Sequence, residues 1–192
     1  LFVPDSLWGE RSGHRSSKYL IKAFSNANIN IAVYASNLDY TAEQHDEIKK
    51  YNCQYYPKSE YDYTQQLFRR KADEEFRNVI KNFNPDFVFY VGTIKNKISI
   101  NFCIKRKIKY LYLPLTNEYY CIKHYAGVEN KPCYRCLNGS LTSPIFNKCI
   151  PKDSGILKYI KDKTIESLSK KRIINAYRVV GYSNNQLDTL IE

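Results

Sequence analysis

The sequence predicts an α/β fold, a Rossmann-like parallel sheet with helices on both faces. Two observations predict it. Short apolar runs alternate along the chain with longer amphipathic ones. The apolar runs, such as DFVFYVG and IKYLYLPL, show no two-residue period, as strands covered on both faces do not. At 192 residues the chain suits one domain with a proper core and is short for two.

Each element follows from local pattern. LFVP reads as a short buried strand and looks like a trimmed edge strand, so the N-terminus is expected to lie further upstream. SGHRSSKYLIKAFSNAN follows with Tyr19, Leu20, Ala23, Phe24 and Ala27 on one helical face, and Ser12 or Gly13 is a natural cap. INIAVYAS is a β-rich run. The polar, tyrosine-rich residues 37–62 allow a helix at 41–50 and a strand near Cys53 to Tyr56. The clearest helix runs from about Thr64 to Phe83, where Leu67, Phe68, Ala72, Phe76, Val79, Ile80 and Phe83 form an apolar stripe. NPD ends it, because the residue before proline disfavours helix. DFVFYVG is then a strand, the basic segment to Lys107 a helix, and IKYLYLPL another strand. Beyond a cysteine-rich stretch come a helical region near 154–171, the strand NAYRVVGYS and a helix start at SNNQLDTLIE.

The formal charge is +11, from 30 basic and 19 acidic residues. It is uneven: Lys95 to Lys109 holds six Lys or Arg and no acid. Such a field draws nucleic acid, phospholipid surfaces or phosphorylated substrates, and its plain reading is a solvated basic face. No apolar run approaches a membrane span and no secretory leader is present, so a cytoplasmic protein is expected, peripheral at most to the inner face of the membrane.

Parallel sheets bind ligands beyond the carboxyl ends of their strands, which points to loops 5–15, 35–42, 91–96, 114–150 and 181–185. The first of these lacks GxGxxG, and GxxxxGK[ST] occurs nowhere, so dinucleotide and P-loop readings fall away. It does place Gly13, His14 and Arg15 at a helix start, where free N–H groups and a forked cation suit an anion. A plain cap with two exposed polar side chains is the simpler reading.

The stretch NEYYCIKHYAGVENKPCYRCLNGSLTSPIFNKCI, residues 117–150, contains four of the six cysteines. Their spacing is Cys121-x11-Cys133-x2-Cys136-x12-Cys149, with His124 inside the cluster. A CxxC suits tetrahedral zinc, because two thiolates on one turn can face a metal, and four cysteine ligands would make the site structural. Free thiols, a disulfide and a redox pair are the alternatives. Cys53 and Cys103 lie in apolar surroundings and read as core residues.

The run YLYLPLTNEYYC…CYRC…NKC resembles the N-terminal, acceptor-side domain of GT-B-fold glycosyltransferases of the retaining family 4 type. Many bacterial members carry there an asparagine-led segment ending in cysteine, then CxxC, then another cysteine. GERSGHRSSKYLIKAF resembles the family's glycine-rich first turn, NPDFVFYVGT a strand of its middle, and NAYRVVGYSNNQLDTLIE its closing segment, with Ser183 at the family's serine. The resemblance spans essentially residues 1–192 as one Rossmann-like domain, with the cysteine-rich stretch as an insertion. The sequence departs from the pattern at Thr116 and at Gly92-Thr93, where the family has histidines, and keeps only Gly13 of the first-turn glycines.

The resemblance implies transfer of a hexose from a nucleotide-sugar donor to a glycan or lipid-linked acceptor, in polysaccharide biosynthesis. Gly13, His14 and Arg15 would line one edge of the cleft, with Thr116 and Asn117 opposite. The donor would be bound mainly by a C-terminal domain absent from this chain, which alone is expected to be inactive. Structural zinc would sit on Cys121, Cys133, Cys136 and Cys149, and the basic surface would steer the domain to anionic lipid or a phosphorylated acceptor. The alternative is a non-enzymatic, zinc-stabilised basic module binding nucleic acid through its cations and aromatics. A thiol-redox protein is a third.

Overall fold

The computed structural model describes residues 1–4, 7, 12–36, 46, 48–58, 66–93, 99–116, 121, 127–128, 131–136, 143–146, 149–150, 159–160, 164 and 169–181. Its strands are β1 (Phe2–Val3), β2 (Ala32–Ser36), β3 (Gln54–Lys58), β4 (Val88–Gly92), β5 (Tyr110–Pro114), β6 (Gly127–Val128), β7 (Lys131–Pro132) and β8 (Arg178–Val179). The helices are α1 (Ser12–Asn26), α2 (Gln66–Phe83), α3 (Ser99–Arg106) and α4 (Ser143–Phe146). Residues 169–174 are also helical.

Six strands form one sheet in the order β3-β2-β1-β4-β5-β8, every neighbouring pair parallel. This is the α/β architecture that the unalternating apolar runs require: each strand needs cover on two faces. The chain builds outward from β1 to β3, returns to β1's other side at β4, and builds outward again. LFVP is therefore central, not an edge. Phe2 pairs with both Val33 and Phe89, and its full burial explains why so short a strand sits mid-sheet. The hairpin β6–β7, inside the cysteine-rich stretch, is antiparallel and separate.

Successive side chains along a strand go to opposite faces, so register sorts the core into two. On one face Tyr34 stands opposite Tyr56, Tyr90 opposite Tyr112, and Tyr112 opposite Val179. Phe76 and Val79 of α2 and Ile100 and Cys103 of α3 cover this face, with Ile173 from the following helical segment. The other face carries Phe2, Val33, Ala35, Val91 and Leu113, covered by Ile21, Leu20 and Phe24 of α1 and by Ile48.

The stripe expected on α2 is the observed one where side chains are described. Phe76 and Val79 are buried, and Ile80 and Phe83 pack against the same cluster. On α1 the expected face is rotated. Ser17 and Ile21 are buried and Leu20 and Phe24 lie beside them, whereas Tyr19 is 72% exposed and Ala23 and Ala27 are exposed. Residues 17, 20, 21 and 24 form a helical stripe that excludes 19, and Phe24 fixes it by packing its ring 6.2 Å from Phe2 and 5.8 Å from Phe89.

Four turns leading into strands each place one non-glycine residue at positive φ: Asn28, Asn52, Asn84 and Lys107. After α1, Asn28 N–H donates to Ser25 and Ile29 N–H to Phe24; after α3, Lys107 donates to Ile104 and Ile108 to Cys103. These paired bonds are the Schellman closure, which satisfies the last helical carbonyls. No helix among the described residues is long and apolar enough to cross a membrane.

Candidate functional site

The order β3-β2-β1-β4-β5-β8 reverses direction between β1 and β4. In parallel sheets, connections leaving two such strands diverge to opposite sides, and ligands bind in the crevice that forms beyond their carboxyl ends. Three segments meet its rim. The chain after β1 leads into α1, which begins at Ser12, one of the two residues expected at its cap. The chain after β4 passes Gly92 and half-buried Thr93. The chain after β5 continues through Leu115 to Thr116, and pairing of Gly92 with Pro114 sets these two exits side by side.

Gly92 has φ 110°, a conformation that suits a residue without a Cβ. Tyr112 pins this bend from below, its hydroxyl donating to the Gly92 carbonyl at 2.8 Å. The residue class at this position is thus set by backbone geometry. Any residue with a Cβ would have to adopt strained φ here.

Gly13, His14 and Arg15 lie in the first turn of α1, at the crevice end of the sheet. Arg15 is exposed. No acidic residue occupies that first turn, so its positive end is not offset by a carboxylate on the helix itself. Thr116, half-buried, sits just beyond β5. Its Oγ1 is buried and has no hydrogen-bond partner among the described residues. Buried hydroxyls are normally paired, so a water or a ligand is expected to meet this one. Asn117, Ser183 and His124 lie outside the described residues. The sequence points to Thr116 only through the resemblance; that its hydroxyl is enclosed is shown by the fold.

The cysteines separate into two groups. Burial pushes the Cys103 thiol up to about 12 and the Cys53 thiol up to about 11, as expected of core residues. Cys103 is fully buried with its sulfur 3.4 Å from the Tyr90 hydroxyl, and Cys53, half-buried, donates to the Ile48 carbonyl. Cys121, Cys133, Cys136 and Cys149 are half-buried and form no disulfide, and Cys121 and Cys136 pack against the tyrosine-bearing core cluster. Among the described residues no three His, Cys, Asp or Glu come together as a metal-holding group. The thiols so placed do not present the convergent donor set that zinc takes, and no chemistry is routed through a metal here.

The other ionisable groups inside the sheet are structural. Tyr90, fully enclosed, is held well above its ordinary range by burial, and its hydroxyl donates to Ser99 Oγ at 3.0 Å. Burial also raises Tyr110, whose hydroxyl donates to the Arg172 carbonyl, while Arg172 Nε donates to Asn101 Oδ1 at 3.2 Å. These bonds tie β5, α3 and the 169–174 segment together below the crevice.

No family model matches the chain. No curated protein matches it either. Among solved structures it is similar to Glycyrrhiza uralensis UGT73P12, crystallised in complex with glycyrrhetinic acid 3-O-monoglucuronide, at 11% identity and a TM-score of 0.49. The match covers 97% of this chain and 44% of that one, so the chain spans less than half the length of the plant protein. A likeness of that size identifies neither a family nor a function.

Proposed function

We propose that the chain is the acceptor-side half of a glycosyltransferase. It would hold a glycan or lipid-linked acceptor while a nucleotide sugar, bound mainly by a second domain, gives up its hexose. The observation that carries the reading is the strand-order reversal between β1 and β4, with the first turn of α1 on one side and the enclosed Thr116 hydroxyl on the other. The sequence resemblance supports the same reading through its Gly13 and Thr116 positions.

Sugar transfer from a nucleotide donor leaves a diphosphate, and charge growing on that group is stabilised by oriented N–H donors and cations. The first turn of α1, with Gly13, His14 and Arg15, is suited to that edge. Thr116 and Asn117 would orient an acceptor hydroxyl opposite. The retaining outcome and the choice of hexose belong to the complete enzyme. The chain by itself is expected to turn over no donor. Zinc on Cys121, Cys133, Cys136 and Cys149 is the part of this reading that the placement of the thiols does not support, and metal analysis of the purified chain decides it.

The test is binding. Ligand-observed NMR of the chain against a panel of oligosaccharides and nucleotide sugars should find at least one saccharide bound, weakened roughly tenfold by Thr116→Val, which removes one hydrogen bond. Arg15→Ala should weaken nucleoside diphosphates without affecting neutral sugars. A chain that binds no saccharide at millimolar concentration would overturn the proposal.

A further inference from the structure

The amino ends of the strands, opposite the crevice, form a second surface of different character. Residues 27–31, 50–53, 84–87, 107–109 and 175–177 lead into β2, β3, β4, β5 and β8 there, and all are described. In these five connections the sole carboxylate is Asp86, against Lys50, Lys107 and Lys109. The last turn of α3 adds Lys105 and Arg106, and β8 opens with Arg178.

Exposed apolar side chains stand among these cations. Phe87 is 38% exposed, Tyr177 47%, and Ile174, three residues before Tyr177, 81%. The group is organised. The rings of Phe87 and Tyr177 lie 5.6 Å apart, and Lys109 Nζ lies 5.8 Å from one and 5.3 Å from the other. Arg178 covers Tyr177 at 5.2 Å. Cation–π contacts hold the two rings at the surface with charge beside them.

From this we infer that the amino-end surface of the sheet docks on an anionic lipid bilayer, with Lys107, Lys109 and Arg178 among the headgroups and Phe87, Tyr177 and Ile174 at the acyl boundary. Charge complementarity selects an anionic partner. The exposed aliphatic Ile174, three residues before Tyr177, selects a bilayer over a nucleic acid, because a phosphate backbone would reward the cations and leave that apolar surface in water. Interfacial binding draws on both terms together, apolar area and attraction to anionic lipid. The surface lies at the opposite end of the sheet from the candidate crevice, so it stands apart from the sugar-transfer reading. Either can fail while the other holds.

The experiment is co-sedimentation of the whole chain with vesicles of phosphatidylcholine alone or mixed with phosphatidylglycerol, each at low and high salt. The chain is expected to sediment with the mixed vesicles only, and to be released by salt. Lys107→Gln, Lys109→Gln and Arg178→Gln combined should weaken binding by about a hundredfold, and Ile174→Ser alone severalfold. All four positions are exposed, and circular dichroism checks that each variant stays folded. Absence of sedimentation with anionic vesicles overturns the inference. So does binding that survives the triple substitution. Vesicle binding untouched by Ile174→Ser, with tight single-stranded oligonucleotide binding lost in the triple variant, would overturn it in favour of a nucleic-acid surface.

Discussion

The two faces of the sheet solve the same burial problem with different chemistry. On the α1 face the contacts are chiefly hydrocarbon: Phe2, Phe24 and Phe89 meet with ring centroids 5.8–6.2 Å apart, beside Val33, Val91 and Leu113, and Tyr55 donates to the Ala35 carbonyl at its outer strand. On the α2–α3 face the strands present Tyr34, Tyr90, Tyr110 and Tyr112. Each of those hydroxyls finds a partner: Glu75, Ser99, the Arg172 carbonyl and the Gly92 carbonyl. A hydrocarbon face constrains only volume, whereas a tyrosine face also constrains where each neighbouring element must place an acceptor. This difference teaches how the tyrosine face reaches one part of the rim by a hydrogen bond. Tyr112 reaches Gly92, and through it the bend at the rim.

The largest test of the comparison is to empty the tyrosine face. Phe76 is fully buried between Tyr34, at 5.5 Å, and Phe102, at 5.8 Å. Phe76→Ala should cost about 3–5 kcal/mol by chemical denaturation, while Ile21→Ala on the hydrocarbon face should cost about 2–4 kcal/mol. A cost below 1 kcal/mol at Phe76 would mean that tyrosine hydrogen bonds, not packing, hold that face.

Alkaline pH should act on both faces, through Cys53 at about 11 on the α1 face and more strongly through the groups of the tyrosine face. The Cys103 thiol, at about 12 in the fold against 9.0 unperturbed, keeps its proton in the native state where the unfolded chain has lost it. Unfolded chains then bind fewer protons, so stability is fully present below pH 9 and falls as pH rises toward 12. The loss from this thiol should be on the order of 2–4 kcal/mol, and Tyr90 and Tyr110, shifted the same way by burial, add to it. Denaturation midpoints measured from pH 8 upward in wild type and Cys103→Ala check this. A variant with an unchanged alkaline decline would remove Cys103 from the account.

The smallest effect is the most local. Tyr112→Phe keeps the ring and deletes the bond to Gly92, and should cost about 1 kcal/mol. If Gly92 is positioned by that bond, the same variant should also weaken saccharide binding at the rim. Loss of stability with saccharide affinity intact would confine Tyr112 to the core.

Much of the sheet was legible because its strands are apolar throughout. DFVFYVG and IKYLYLPL became β4 and β5, and the helix expected from about Thr64 to Phe83 is α2, Gln66–Phe83. The position of LFVP was not legible, since the pairing of Phe2 with residues 33 and 89 is a long-range property. The rotation of α1 was missed for a related reason. Tyr19 and Ala23 extend the apolar stripe by composition, and only the contact between Phe24 and the Phe2–Phe89 pair decides which edge turns inward. Of the candidate site, Gly13, His14 and Arg15 were placed correctly at a helix start, and Cys103 was read correctly as core. The cysteine spacing stated which thiols are near in sequence and nothing about whether their sulfurs converge.

The parallel sheet has one further geometric meaning. Its five-residue strands rise about 3.3 Å per residue, so its two ends stand roughly 17 Å apart. A domain resting on lipid by the amino ends would hold the crevice near Thr116 that far above the headgroups. An acceptor anchored in the same membrane would need a spacer of that length, whereas a growing chain several sugars long would reach without one. The sheet would then act as a gauge of acceptor length.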